Sequence, residues 1–416
     1  MFSPYNFLLG ICSARTFLHI SLQNYAALIP VLQKEWGISN AAAGSVISAF
    51  YGGFVVSLVG LSMLTDWVST KKVFLYSCLS FAIASLLFAI FAVNYHSAVL
   101  FRGLMGLALG GTYAPGLKLI SEICEASWRG RAMGLFIAAG SIGHAGSLAL
   151  TGWVTAHFNW QRAFLITSLI PFLGALIPFI VLRKMEEQKP QPRAREFKKE
   201  LLANKPALLL IAGYSAHAWE LEGMRAWTPA FLIACYLALG STKDYALQSG
   251  SSFSSLLYIM GVFSTMIAGY LSDRFGRTTI IIFMMLLSIF CSFSLGWLIG
   301  NPMGWILAIA LLYGFAVIAE SPVFSSGLTE VVSPHYLGTA LGFRSLIGFG
   351  VGALVPTVFG FILDFTNPGP KESGLNYIPV WGWAFTSLGL VALIGPWAML
   401  KLRSLPESTL MAGGKK

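Results

Sequence analysis

Gly269-Tyr270-Leu271-Ser272-Asp273-Arg274-Phe275-Gly276-Arg277 closes a long apolar run, and a worn copy stands 207 residues earlier as Ser62-Met63-Leu64-Thr65-Asp66-Trp67-Val68-Ser69-Thr70, followed by Lys71 and Lys72. A second set of pairs aligns without a gap at an offset of 208: Gly106 with Gly314, Glu122 with Glu330, Gly130 with Gly338, Ala132 with Ala340 and Gly134 with Gly342. The chain is an internal duplication. The repeat spans about half its length, so each copy is a bundle of elements.

Composition says what the elements are. Of 416 residues, 56% are hydrophobic and 11% charged, and the mean hydropathy is +0.72. That is far from a soluble globular chain. Apolar runs long enough to cross a bilayer are centred near residues 20, 52, 84, 108, 143, 172, 217, 260, 288, 314, 351 and 392. A soluble protein of buried helices would need polar helix faces that these runs lack. The expected fold is an all-α membrane protein of twelve transmembrane helices in two pseudo-symmetric six-helix bundles. Duplicated halves in a membrane suit a transporter that moves one repeat against the other.

The first run has no basic n-region and carries Arg15 and His19, so it reads as a retained span and not a cleaved signal peptide. Cys12, Cys78, Cys124, Cys235 and Cys291 are scattered singly, in no metal or disulfide pattern. The net charge of +10 is explained by topology. With the N-terminus inside, the inner segments hold Lys71, Lys72, Arg129, Arg131, Arg183, Lys184, Lys189, Arg193, Arg195, Lys198, Lys199, Lys205, Arg274, Arg277, Lys401, Arg403, Lys415 and Lys416. The outer loops hold only Lys34, Arg162, Lys243 and Lys371. This asymmetry puts both termini in the cytoplasm and removes the need for a nucleic-acid partner.

The expected division is 1–184 for the first bundle, 185–205 for a cytoplasmic linker, 206–403 for the second bundle and 404–416 for a cytoplasmic tail. The linker is too polar to cross, although Glu196–Ala203 suits a short surface helix. The outer loop Asn367–Pro379 is the other sizeable connection. Most tryptophans fall near expected span ends, as interface anchors should, whereas Trp153, Trp219 and Trp227 lie deeper.

The repeated loop resembles the signature between spans 2 and 3 of the major facilitator superfamily, Gly-x-Leu-x-Asp-Arg-x-Gly-Arg. The second copy keeps Gly269, Leu271, Asp273, Arg274, Gly276 and Arg277; the first keeps Leu64, Asp66 and the Lys71/Lys72 pair. Arg102-x-x-x-Gly106-x-x-x-Gly110 in span 4, Trp128 to Gly134 entering span 5 and Trp160 to Phe164 entering span 6 add to the match, which covers essentially the whole chain. The Gly-Pro pattern of many antiporters is replaced in span 5 by Gly140-Ser141-Ile142-Gly143-His144-Ala145-Gly146, which resembles the glycine-rich span of nitrate/nitrite-type porters without their asparagine. Close helix packing accounts for those glycines whatever the solute.

One charge cluster is expected in each half: Asp273 with Arg274, Arg277 and Glu330, and Asp66 with Glu122, Arg129 and Arg131. The resemblance implies that they hold an inner gate shut and break as the protein opens inward. Ordinary surface ion pairing, worth little, is the alternative.

A charge at mid-bilayer costs about 2.5–3.5 kcal/mol even on insertion scales, so each one needs a reason. Span 1 carries Arg15, His19 and Gln23 at a spacing of four, one slowly drifting face of a regular helix. Span 7 carries His217, Trp219, Glu220, Glu222, Gly223 and Arg225. His217 and Glu220 share one face and Glu222 and Arg225 another. Either Gly223 and Pro229 break the helix or one pair faces a neighbouring span. Pro30 and Pro229 align these two spans as symmetry mates, and the resemblance places both on a central cavity. Arg15 suits an anion; His217, Glu220 and Glu222 suit a coupled proton. A structural ion pair between Arg15 and Glu220 or Glu222 is the alternative. Tyr113, beside Pro115, and Glu320, before Pro322, are further solute candidates, as is Arg344, which either faces the cavity or snorkels. His144 reads as a packing histidine, Lys118 as snorkelling, and Arg102 as tied to an outer backbone carbonyl.

No Walker A sequence, His-x-x-x-His or Cys-x-x-Cys occurs, so neither an ATP-driven pump nor a redox or metal enzyme is indicated, and no cofactor is called for. The expected function is secondary active transport of a small solute, an anion, coupled to protons by alternating access. The partners are the solute, protons and the lipid bilayer, the protein being a monomer in a bacterial or archaeal inner membrane. The rivals are an exporter of amphipathic organic compounds, favoured by the aromatic-rich interior, and a non-transporting receptor or scaffold.

Overall fold

The computed structural model describes residues 4–125, 128–183, 201–333, 336–368 and 379–415. Most of the expected linker and of the loop after Asn367 lies outside the described residues, as do the first five positions of the Glu196–Ala203 helix. Among the described residues there is no strand. The helices are α1 Pro4–His19, α2 Asn24–Trp36, α3 Asn40–Leu64, α4 Thr70–Phe91, α5 Tyr95–Ile123, α6 Arg129–His157, α7 Trp160–Leu169, α8 Pro171–Val181, α9 Lys205–Ala238, α10 Lys243–Phe275, α11 Arg277–Leu295, α12 Met303–Val331, α13 Leu337–Thr366, α14 Gly382–Ala392 and α15 Ile394–Arg403. The pairs α1/α2, α7/α8 and α14/α15 are broken spans, so the fifteen helices make twelve crossings. Nine crossings pass a test of length and apolarity alone. The other three are α1/α2, α5 and α9, and they carry Arg15, Arg102 and the His217–Arg225 segment. These polar side chains lower their mean hydropathy.

Two compact units emerge. The first comprises residues 1–38, 45–194 and 242–258; the second comprises 39–44, 195–241 and 259–416. In each, apolar side chains also point outward. Phe263, Met266, Ile267 and Tyr270 on α10 and Phe283, Leu286 and Phe290 on α11 are exposed at helical spacing, as a lipid-facing surface requires. The second unit has a continuous buried cluster including Leu210, Ile281, Met285, Phe324, Leu328 and Met399.

The breaks have local causes. Span 1 is not the single regular helix expected from its periodicity, because α1 stops at His19 and α2 starts at Asn24. The Leu22 carbonyl accepts from Arg102 Nη1 at 3.3 Å, and the Asn24 side chain is held by Arg102 Nη2 at 2.8 Å and by Thr167. A carbonyl taken by an arginine is withheld from the helical ladder. Pro171 opens α8 without an N–H, and Pro396 crowds the carbonyl four residues back, Ala392, where α14 ends. Span 7, by contrast, runs unbroken through Gly223 and Pro229.

The two signature loops are different turns. Gly276 stands at φ 96°, a backbone conformation costly for any residue with a Cβ, whereas its counterpart Ser69 is at φ −51°. The wear in the first copy follows from that change. Elsewhere glycine serves close approach: a Cβ on Gly106 of α5 would overlap the Phe50 carbonyl oxygen of α3.

Candidate functional site

In the first unit, Thr16 Oγ1 donates to the Ala139 carbonyl at 3.0 Å and ties α1 to α6. Arg15 therefore lies along α6. Its guanidinium carbon is 4.5 Å from the Phe136 ring centroid and 5.1 Å from that of Tyr113 on α5. Among the described residues Arg15 has no carboxylate partner, and its Nε is buried without a hydrogen bond. Gly140 makes the room, since a Cβ there would stand 2.8 Å from Arg15 Nε and 3.0 Å from the His19 ring. One turn further, His19 Nδ1 and His144 Nε2 are 3.2 Å apart, and the His144 ring stacks on Tyr258 at 5.2 Å. His144 is thus a hydrogen-bonded packing histidine, as read, although its partner is another candidate. Gln23 sits in the break between α1 and α2, where its backbone N–H donates to Ser147 Oγ. It is not on the Arg15/His19 helical face. The result is a fixed cation on aromatic faces with a buried, unspent Nε donor, beside a histidine pair.

In the second unit, the two acids of span 7 separate, as an unbroken helix requires. Glu222 pairs with Arg225 one turn on, at 3.0 Å, and its side chain packs toward Gly352 of α13. His217 and Glu220 face α11 and α12 and are fully buried. His217 Nδ1 is 2.8 Å from Glu320 Oε2, and its Nε2 is 2.7 Å from Ser321 Oγ. Ser288 Oγ lies 2.9 Å from Glu220 Oε2, 3.2 Å from Glu320 Oε1 and 3.0 Å from the Met285 carbonyl. A hydroxyl has one proton to give. All three contacts can be hydrogen bonds at once only when the hydroxyl donates to the Met285 carbonyl and both carboxyls are protonated and donate to it. Two carboxyl groups bridged by one serine and flanked by an imidazole are an arrangement that can hold a proton.

Arg344 does not snorkel. It is 6% exposed, its guanidinium carbon is 4.2 Å from the Tyr214 ring centroid, it donates to Ser325 Oγ, and its Nε is buried without a partner. Trp219 has a buried indole N–H with no hydrogen bond, whereas that of Trp227 is spent on the Pro356 carbonyl at 3.0 Å.

The expected loop clusters fare unequally. Arg277 is bound to Asp273, donates to Ser272 Oγ at 2.6 Å and meets Glu330 at 2.8 Å. Arg274 stands apart over its neighbour Phe275. The C-terminal segment joins this cluster, with the Ala412 N–H on Glu330 and Lys415 Nζ on the Asp273 carbonyl. In the first copy the basic residues and Glu122 are placed differently. Arg129 Nε donates to the Cys124 carbonyl, Arg131 is exposed, and Glu122 lies beside Lys118. Asp66 sits at the turned end of α3, where Trp67 replaces the arginine of the other copy. Lys118 does not merely snorkel: its Nζ reaches the Thr65 carbonyl and hydroxyl at 3.3 Å. Arg102 is bound to a backbone carbonyl, that of Leu22.

Sequence reasoning missed Phe136, Gly140 and Ser288 as site residues, and also Asp364. The Asp364 carboxylate accepts from the Asn40 N–H at 3.0 Å, the Asn40 side chain at 2.7 Å and the Ala41 N–H at 2.8 Å, capping the start of α3. A lone acid near the end of span 11 was the available signal.

Comparison with known proteins agrees with this architecture. The family model of the Major Facilitator Superfamily matches residues 11–356. The chain is 27% identical to the inner membrane transport protein YnfM of Escherichia coli, over 62% of this chain and 60% of that protein. It is 25% identical to the 4-hydroxybenzoate transporter PcaK of Pseudomonas putida, over 89% of this chain and 85% of that protein. A bacterial homologue of the lysosomal transporter Spinster, solved in an inward-facing and occupied conformation, superposes with a TM-score of 0.75 at 17% identity, covering 96% of this chain and 97% of the other. Duplicated loops, twelve all-helical crossings and a family match over most of the length converge: the chain belongs to the Major Facilitator Superfamily and is a multi-pass membrane transporter of small molecules, not an enzyme.

Proposed function

We propose that this transporter moves a small organic anion, a carboxylate, by alternating access, with proton movement coupled through Glu220, Ser288, Glu320 and His217. The carrying observation is Arg15, a cation laid on Phe136 and Tyr113 with no acid among the described residues paired to it. Cation–π contact contributes about 0.5–2 kcal/mol. That leaves the hydrogen-bonding edge of a fork whose natural partner is a carboxylate. The aromatic walls suit a solute with an apolar or ring-bearing body, and the name of the Pseudomonas relative, a 4-hydroxybenzoate transporter, supports that class. The bacterial relatives and the basic asymmetry of the loops support an inner-membrane location with both termini cytoplasmic. The Asp273–Arg277–Glu330 cluster is the part we assign to gating; unchanged transport in Asp273→Asn would remove it from that role.

Counterflow of labelled benzoate in proteoliposomes tests the substrate class. Wild type exchanges benzoate and ignores benzamide, its neutral counterpart, and Arg15→Gln reduces benzoate exchange at least tenfold. Equal exchange of the two compounds, or full activity in Arg15→Gln, contradicts the proposal.

A further inference from the structure

The duplication carries one more relation, visible only when the two units are set side by side as copies. The offset of 199 that pairs Pro30 with Pro229 also pairs Arg15 with Tyr214. The offset of 208 that pairs Gly106 with Gly314 also pairs Phe136 with Arg344. In the first unit Arg15 lies on Phe136, with its guanidinium carbon 4.5 Å from the ring centroid; in the second, Arg344 lies on Tyr214 at 4.2 Å. The same pair of backbone positions thus makes the same cation–π contact in both copies, with arginine and ring exchanged. A contact conserved by chance packing would have no reason to survive that exchange. A cation required at this place in each copy would.

We propose that Arg344 is a second anion-binding group of this transporter, taking a carboxylate as Arg15 does; the inference rests on the organic-anion reading and extends it to the second unit. Arg344 is built for that task. Its ring-stacked face is held by Tyr214 of α9, and one Nη donates to Ser325 of α12, which fixes the rotation of the guanidinium plane. The Nε is buried and makes no hydrogen bond, and no carboxylate of the described residues pairs with this side chain. A 6%-exposed guanidinium with an unspent donor is unstable in an apolar span unless something arrives to take it. The Nε edge matches the two oxygens of a carboxylate. The Tyr214 ring is also 5.5 Å from that of His217, which bonds Glu320, so an anion held here sits one side chain from the carboxyl pair.

The test is calorimetric titration of benzoate, with benzamide as the neutral control, into the full-length protein in detergent. Arg344→Gln is expected to raise the benzoate Kd at least tenfold while the unliganded melting temperature shifts by only a few degrees. Arg344→Lys keeps the charge and loses the fork, so it should also weaken benzoate several-fold; it decides the matter if the glutamine variant fails to fold. Wild-type benzoate affinity in Arg344→Lys and Arg344→Gln, alongside loss of binding in Arg15→Gln, overturns the second site and leaves the anion reading standing. Equal binding of benzoate and benzamide by the wild type overturns both.

Discussion

A guanidinium lying flat on a ring is satisfied only through its face, and its N–H edge still needs an acceptor. That is the condition of Arg15, and Gly140 is what permits it. Gly140→Ala would drive a methyl to within 2.8 Å of Arg15 Nε and displace the fork without changing its charge. We expect benzoate affinity to fall about tenfold, equivalent to about 1.4 kcal/mol, in a binding titration. An unchanged Kd would mean that Gly140 does not position Arg15. Ser288 offers the companion test, since Ser288→Ala removes the bridge between Glu220 and Glu320. The rate of proton-driven uptake should drop at least several-fold in vesicles, while benzoate binding without a gradient stays near wild type. Equal loss of both would make Ser288 a structural residue. The sequence made Arg15, His217, Glu220 and Glu320 conspicuous because an ionisable group in an apolar span needs a reason. Phe136, Gly140 and Ser288 are ordinary span residues, and only their neighbours give them meaning.

At the scale of elements, periodicity located the crossings and failed where a side chain from another helix interrupts the backbone ladder. The face shared by Arg15, His19 and Gln23 presumed an unbroken helix, whereas α1 stops at His19 and Arg102 binds the Leu22 carbonyl in the break before α2. The span-7 alternatives resolved toward a straight helix with two acidic faces, which no single-helix pattern could decide. Loop chemistry was clearer. Gly276 at φ 96° explains why its motif position demands glycine, and Gly276→Ala should destabilise by about 1–2 kcal/mol, read as a lower melting temperature. No change would show that the turn relaxes freely. Asp364 is an element-scale device of another kind, a carboxylate placed on the free N–H groups that start α3. Asp364→Asn keeps its size and loses its charge, so a loss of about 1–2 kcal/mol is expected from weakened charge-assisted bonds. A melting temperature identical to wild type would count against the cap.

For the whole molecule, duplication accounts for the architecture, and the differences between the copies account for the chemistry. The signature loop keeps Asp273, Arg274, Gly276 and Arg277 in one copy, whereas in the other Trp67 and Ser69 stand where the first arginine and the glycine would be. The arginine–ring pair persists in both with its members exchanged. The carboxyl pair belongs to the second unit alone: the position matching Glu220 is Ser21 and that matching Glu320 is Thr112. An anion receptor in both copies and a proton carrier in one is the arrangement we propose for this transporter. The most direct measurement is uptake of labelled benzoate into proteoliposomes with and without an imposed inward proton gradient, for wild type and Glu320→Gln. Wild type is expected to take up benzoate at least tenfold faster with the gradient, and Glu320→Gln to show no response to it. Uptake that ignores the gradient in wild type, or a full response in Glu320→Gln, would contradict proton coupling through the carboxyl pair.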